Sequence, residues 1–157
     1  MERLLDQLAA ALLARKQTLA TAESCTGGLV GAALTGLPGS SAWYLGGVIA
    51  YANDLKIRLL GVPAKILAAH GAVSPETAQA MAEGARTAAA ADYAVALTGI
   101  AGPAGGTPEK PVGLVYVGVA APRGTATFEH RFSGSRAEIR QAAAKAALRH
   151  LLDAILT

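Results

Sequence analysis

The chain has 157 residues, 52% hydrophobic and 16% charged, which is enough for one domain with a buried core and excludes a disordered polymer. Its formal net charge of +3 is dispersed, and the longest basic run is the pair Arg15–Lys16, so there is no patch or stripe for nucleic acid. The single cysteine, Cys25, excludes an intrachain disulfide. The most apolar region, 27–52, is broken by Pro38, Gly39 and serines, which excludes a membrane span.

The N-terminus carries acidic residues and no signal-like apolar stretch, so a cytoplasmic location is expected. Residues 2–16 predict an amphipathic helix, with Leu4, Leu5, Leu8, Ala9, Leu12 and Leu13 at helical spacing. Residues 18–22 predict a short strand that runs into the turn Glu23-Ser24-Cys25-Thr26-Gly27-Gly28. A helix to about Thr35 follows and stops at Gly36-Leu37-Pro38-Gly39. Residues 43–51 predict a second strand. Asn53 is placed to cap a helix over 54–60, with Lys56 in its first turn.

Pro63 opens a short helix to His70, and Ser74-Pro75-Glu76 opens an alanine-rich helix to about Ala90. Residues 93–98 predict a strand. The loop 99–111 holds four glycines and three prolines, too long for a simple turn. Strands over 112–121 and 125–132 are joined at Pro122-Arg123-Gly124 as a hairpin. Ser135-Arg136-Ala137-Glu138 is a capping-box pattern opening a last helix, 136–155. Early alternation of strands and helices, then a hairpin, predicts one three-layer α/β/α sandwich with a mixed β-sheet over 1–157. Aromatics are scarce at 4%, and alanine and glycine supply much of the apolar count, so helices should lie close on the sheet.

Four places can carry chemistry. The Ser24 turn exposes a hydroxyl at a sheet edge beside helix N-terminal N–H groups that can hold an oxyanion or phosphate; the alternative is a plain cap by Ser24 or Thr26. The second turn, Thr98-Gly99-Ile100-Ala101-Gly102-Pro103, also follows an apolar strand, where ligands sit in open α/β sheets; the alternative is an ordered connection. Neither turn is a dinucleotide fingerprint or a Walker loop. Tyr51, Asn53 and Lys56 can return to the sheet edge, against the usual fate of a solvated lysine. Arg136 at a helix start makes a phosphate site or a surface arginine. His70, His130 and His150 have no metal-ligand spacing and lie in neither turn, so no metal or cofactor is expected.

These residues together resemble the C-terminal domain family of the competence/damage-inducible protein CinA, in its stand-alone amidase form. The resemblance is carried by Thr21-Ala22-Glu23-Ser24-Cys25-Thr26-Gly27-Gly28, Gly39-Ser40-Ser41, Tyr51 with Asn53 and Lys56, and His70-Gly71-Ala72-Val73-Ser74. Thr98-Gly99-Ile100-Ala101-Gly102-Pro103, Lys110-Pro111-Val112-Gly113 and Phe132-Ser133-Gly134-Ser135-Arg136 extend it over nearly the whole chain, with no departure at these positions. It implies hydrolysis of nicotinamide mononucleotide to nicotinate mononucleotide and ammonia, with Ser24 as nucleophile. It also implies that Tyr51, Lys56, Thr98 and Arg136 contribute to the site, and that the protein is a homo-oligomer. The metal-dependent pyrophosphatase activity associated with the additional domain of longer CinA proteins is not expected.

On that assignment Ser24 needs a base, an oxyanion site and a proton donor for ammonia. With no histidine in the turns, Lys56 is the candidate base, and its pKa must then fall well below the usual lysine value. Tyr51 relays the proton or positions the pair. N–H groups between Cys25 and Gly28, including those of Thr26 and Gly27, would hold the oxyanion. Thr98 and Gly99 would meet the substrate, and Arg136 its phosphate. Cys25 is a competing nucleophile. A non-catalytic nucleotide-binding or regulatory module, and a hydrolase of another small amide, are the alternative readings.

Overall fold

The computed structural model describes all residues, 1–157. The chain runs α1 (Glu2–Arg15), β1 (Leu19–Glu23), α2 (Leu29–Thr35), β2 (Tyr44–Ile49), α3 (Asn53–Leu60), α4 (Ala64–His70), α5 (Pro75–Ala89), β3 (Tyr93–Gly99), β4 (Leu114–Ala121), β5 (Gly124–Arg131) and α6 (Arg136–Leu156). One sheet of five strands has the order β2-β1-β3-β4-β5. β1 pairs parallel with both β2 and β3, and the β3–β4 and β4–β5 pairs are antiparallel, which makes the sheet mixed as expected.

Strand alternation sorts side chains by size between the two faces. Leu19, Tyr93, Val95, Leu97, Val115, Val117 and Val119 join the larger core, with α1, α2 and α6. Ala20, Ala22, Ala94, Ala96 and Ala120 join the smaller core, with Leu60 of α3 and Met81, Ala82 and Ala85 of α5. The alanine face brings α5 almost onto the sheet: a Cβ at Gly118 would collide with the carbonyl of Ala78. The same tightness recurs between helices, where a Cβ at Gly84 would overlap the Leu60 carbonyl. Helix propensity alone credits Gly84→Ala with about 1 kcal/mol of stabilisation. Backbone has no rotamer to yield, so the substitution is expected instead to destabilise by about 1–3 kcal/mol. A thermal melt checks this, and a raised Tm would contradict the close approach.

Caps behave largely as read. Ser74 accepts from the Thr77 N–H with Pro75 at the first helical position, and Ser135 and Glu138 form a full capping box. Several boundaries differ. Ala52, not Asn53, precedes α3, and Pro63 precedes α4 rather than opening it. The second strand shortens from 43–51 to Tyr44–Ile49. β4 begins at Leu114 because Gly113, at φ +94°, turns the chain and donates its N–H to Ile100. β1 extends to Glu23, and α2 starts only at Leu29, behind Gly28 at φ +106°. No helix is long and apolar enough to cross a membrane.

Candidate active site

β1 and β2 are adjacent and parallel, yet lead into helices on opposite faces of the sheet, α2 and α3. That divergence leaves a crevice at their C-terminal ends. A pocket of about 260 Å³ lies there, and among its lining residues are Ser24, Tyr51, Lys56, Thr98, Gly99 and Arg136. A larger cavity of about 940 Å³ sits at the opposite end of the strands, near Arg15, Arg123 and His150. It contains no serine, cysteine or lysine, so it offers no nucleophile paired with an amine base.

Ser24 is the first residue beyond β1. Its N–H donates to the Leu97 carbonyl at 3.1 Å, which extends the β1–β3 ladder by one bond and fixes the residue at the sheet edge. Lys56 approaches from the first turns of α3 and is buried, at 1% exposure. Its Nζ lies 3.0 Å from Ser24 Oγ and donates to the Tyr51 carbonyl at 3.0 Å. No carboxylate pairs with it: the ion pairs of the chain are Arg58–Asp54, His70–Glu76 and Arg131–Glu129. Burial therefore pushes the Lys56 pKa down from the usual lysine value, with the neighbouring Cys25 a smaller opposing influence.

Cys25 is buried, and burial raises its thiol to about 11. At neutral pH it is protonated, a poor nucleophile beside a serine that touches an amine. Tyr51 enters the site by its backbone. Its phenol is exposed, and Tyr51 Oη accepts a long 3.4 Å hydrogen bond from Arg136 Nη2. It bonds neither Lys56 nor Ser24, so the free protein holds no phenolic relay between them. Arg136 Nη1 donates to the Gly102 carbonyl at 2.7 Å and so anchors the loop after β3. Thr98 is buried and donates its hydroxyl to the Ala72 carbonyl at 2.7 Å.

Thr26, Gly27 and Gly28 lie outside the pocket lining. The Thr26 hydroxyl and the Gly28 N–H are occupied by a residue whose part the sequence did not reveal. Glu23, 2% exposed, turns its carboxylate under the turn. It accepts from Thr26 Oγ1 (2.7 Å) and from the N–H groups of Gly28 (3.2 Å), Val30 (2.9 Å) and Gly31 (3.0 Å). The helix N-terminus expected to face the ligand is thus turned onto an internal carboxylate. Arg140, also not singled out from sequence, reaches the same turn from α6. Its Nε donates to the Cys25 carbonyl at 3.1 Å and its Nη2 to the Thr26 carbonyl at 3.0 Å. The signal for Arg140 was its position four residues after Arg136, on the same helix face. For Glu23 it was a lone carboxylate closing an apolar strand just before a helix.

Comparison with known proteins decides the family. The pattern of the CinA C-terminal domain matches residues 1–155. This chain belongs to the CinA C-terminal domain family. It is 54% identical over 147 residues to a CinA-like protein of Anaeromyxobacter dehalogenans, covering 94% of this chain and 36% of that one. It is 47% identical over 155 residues to a putative competence-damage inducible protein of Caldicellulosiruptor bescii, covering 98% and 38%. The chain thus spans little more than a third of the length of these curated CinA relatives. The crystal structure of the competence/damage inducible protein CihA from Agrobacterium tumefaciens superimposes with a TM-score of 0.96 at 43% identity, covering 99% of this chain and 95% of that one. A CinA superfamily protein from Klebsiella pneumoniae gives 0.94 at 37% identity, covering 98% and 96%. The fold is therefore common ground for this chain and these CinA structures.

Proposed function

We propose that this chain is a serine amidohydrolase that converts nicotinamide mononucleotide to nicotinate mononucleotide and ammonia. The observation that carries the reading is Lys56: a buried amine with no counter-ion, 3.0 Å from a serine hydroxyl. A lysine costs stability when buried without a carboxylate, and it becomes a base at usable pH only because of that burial. The mononucleotide itself rests on the family resemblance and on a cation, Arg136, at the pocket rim.

In the neutral amine one N–H donates to the Tyr51 carbonyl, which leaves the lone pair for the Ser24 proton. Ser24 Oγ attacks the carboxamide carbon, its proton passes to Lys56, and the carbonyl electron pair moves to the oxygen. As the tetrahedral adduct collapses, the C–N bond breaks and Lys56 returns the proton to the departing nitrogen, which leaves as ammonia. Water then attacks the seryl ester, again with Lys56 as base, and releases the carboxylate. Thr98 and Gly99, the last two residues of β3, form the wall against which the ring rests. Arg136 spends two N–H groups on Gly102 and Tyr51 and keeps others of its five for a phosphate.

Because the phosphate is remote from the reacting carbon, Arg136→Ala is expected to raise KM about 10-fold or more with a smaller change in kcat. Steady-state ammonia release at varied nucleotide concentration measures it. An unchanged KM would remove Arg136 from phosphate binding. The pH profile gives a second check. Lys56 must be deprotonated to act, so kcat/KM is expected to rise with pH through a pKa below the ordinary lysine value. A profile flat through that range would contradict Lys56 as the base.

A further inference from the structure

We infer that Arg140 is a positioning residue that holds the Ser24 turn open as an oxyanion hole, with the N–H of Cys25 as its donor. The inference rests on Ser24 as nucleophile and goes beyond it.

It follows from accounting for every backbone N–H from residue 24 to 31. Ser24 donates to Leu97, Gly27 to the Ser24 carbonyl and Leu29 to the Thr26 carbonyl. Gly28, Val30 and Gly31 donate to the Glu23 carboxylate. Only the N–H groups of Cys25 and Thr26 are engaged by no other residue. Buried N–H groups are nearly always paired; Cys25 lines the pocket whereas Thr26 is fully buried, so the Cys25 N–H, with no partner in another residue, marks the place beside the nucleophile where an acceptor is expected. The N–H of the residue after the nucleophile is also the donor that strand-to-helix nucleophile turns use.

A trans peptide points its N–H opposite to its carbonyl, so whatever holds the carbonyl aims the N–H. The Ser24 carbonyl is held by Gly27, which aims the Cys25 N–H. The Cys25 carbonyl is held by Arg140 alone, so Arg140 fixes the donor residue from its other side. Arg140 also bonds the next carbonyl, that of Thr26. Its planar fork grips consecutive carbonyls that a lysine cannot grip together. Arg140 makes no ion pair, so its charge is spent on this stretch of backbone. Without it the peptide between Cys25 and Thr26 loses its anchor, and its carbonyl is free to turn toward the hole, where it repels the developing negative charge.

The experiment compares wild type with Arg140→Gln and Arg140→Lys. It measures kcat and KM for ammonia release from nicotinamide mononucleotide, the Tm, and the rate at which a fluorophosphonate labels Ser24, followed by mass spectrometry. Loss of one oxyanion donor is worth about 10²–10³ in kcat. Arg140→Gln is therefore expected to lose about 100-fold in kcat with KM within a few fold, and to label correspondingly slowly. Arg140→Lys keeps the charge and the stem but not the fork, so it covers the case in which the glutamine variant fails to fold. It is expected to retain the Tm and still lose most of kcat. A folded variant with wild-type kcat and wild-type labelling overturns the inference, as does a loss confined to KM. Wild type that labels at Ser24 yet releases no ammonia from the nucleotide overturns the proposed substrate instead, and the labelling comparison still decides the role of Arg140.

Discussion

Lys56→Met is expected to lower kcat by about 10³–10⁴-fold while leaving the protein no less stable than wild type at neutral pH. Both halves have one cause. Lys56 is buried with only a serine hydroxyl and a peptide carbonyl for company, so its charged form is disfavoured in the folded state. Methionine fills a similar volume and removes that cost, though it leaves the Tyr51 carbonyl without its donor. The pH dependence has a definite sign. The folded state releases the Lys56 proton at a lower pH than the unfolded chain, so the unfolded chain binds more protons across that interval. Wild-type stability therefore gains with rising pH from the depressed folded pKa up to the unfolded lysine value. The variant lacks this gain, so its advantage is largest below that interval and shrinks through it. Thermal melts of both proteins across this range measure the difference. A variant strongly destabilised at neutral pH, by an amount independent of pH, would show that Lys56 is a satisfied structural residue.

Glu23→Ala is expected to cost about 3–5 kcal/mol of stability, a large value for one substitution. The carboxylate accepts four hydrogen bonds, from one hydroxyl and three backbone N–H groups. Hydrogen bonds to a charged acceptor contribute about 1.5–3 kcal/mol each, and the total falls short of their sum because the turn relaxes together. The Val30 N–H is buried and has no alternative partner once the carboxylate is gone. Chemical denaturation gives the number directly. A loss below about 1 kcal/mol would mean that water replaces Glu23 and that the carboxylate does not hold the turn.

The layers, the sheet type and most helices were legible because the relevant signals are local. Apolar spacing marked α1, Ser74-Pro75 and the capping box marked the starts of α5 and α6, and Pro122-Arg123-Gly124 marked the hairpin. What escaped was non-local or internal to a motif. Asn53 looks like a cap, but the extended backbone that precedes α3 falls on Ala52. The turn after β1 looks like an open helix N-terminus, because nothing local says that Glu23 folds back under it. Ser24, Tyr51, Lys56, Thr98, Gly99 and Arg136 do converge on one pocket. Yet Tyr51 contributes its carbonyl to Lys56 and its ring to Arg136, a split between main chain and side chain that no residue pattern encodes. Arg140 was hidden for a related reason: its partners are carbonyls 114 and 115 positions away.

On the proposed mechanism Ser24, activated by Lys56, hydrolyses a nucleotide carboxamide. The most direct measurement is ammonia release from nicotinamide mononucleotide by wild type, Ser24→Ala and Cys25→Ala, with the folded state of each checked by its melt. Ammonia is expected from wild type and from Cys25→Ala, and none above background from Ser24→Ala. Activity that survives in Ser24→Ala and vanishes in Cys25→Ala, or a folded wild type that releases no ammonia, would contradict this mechanism.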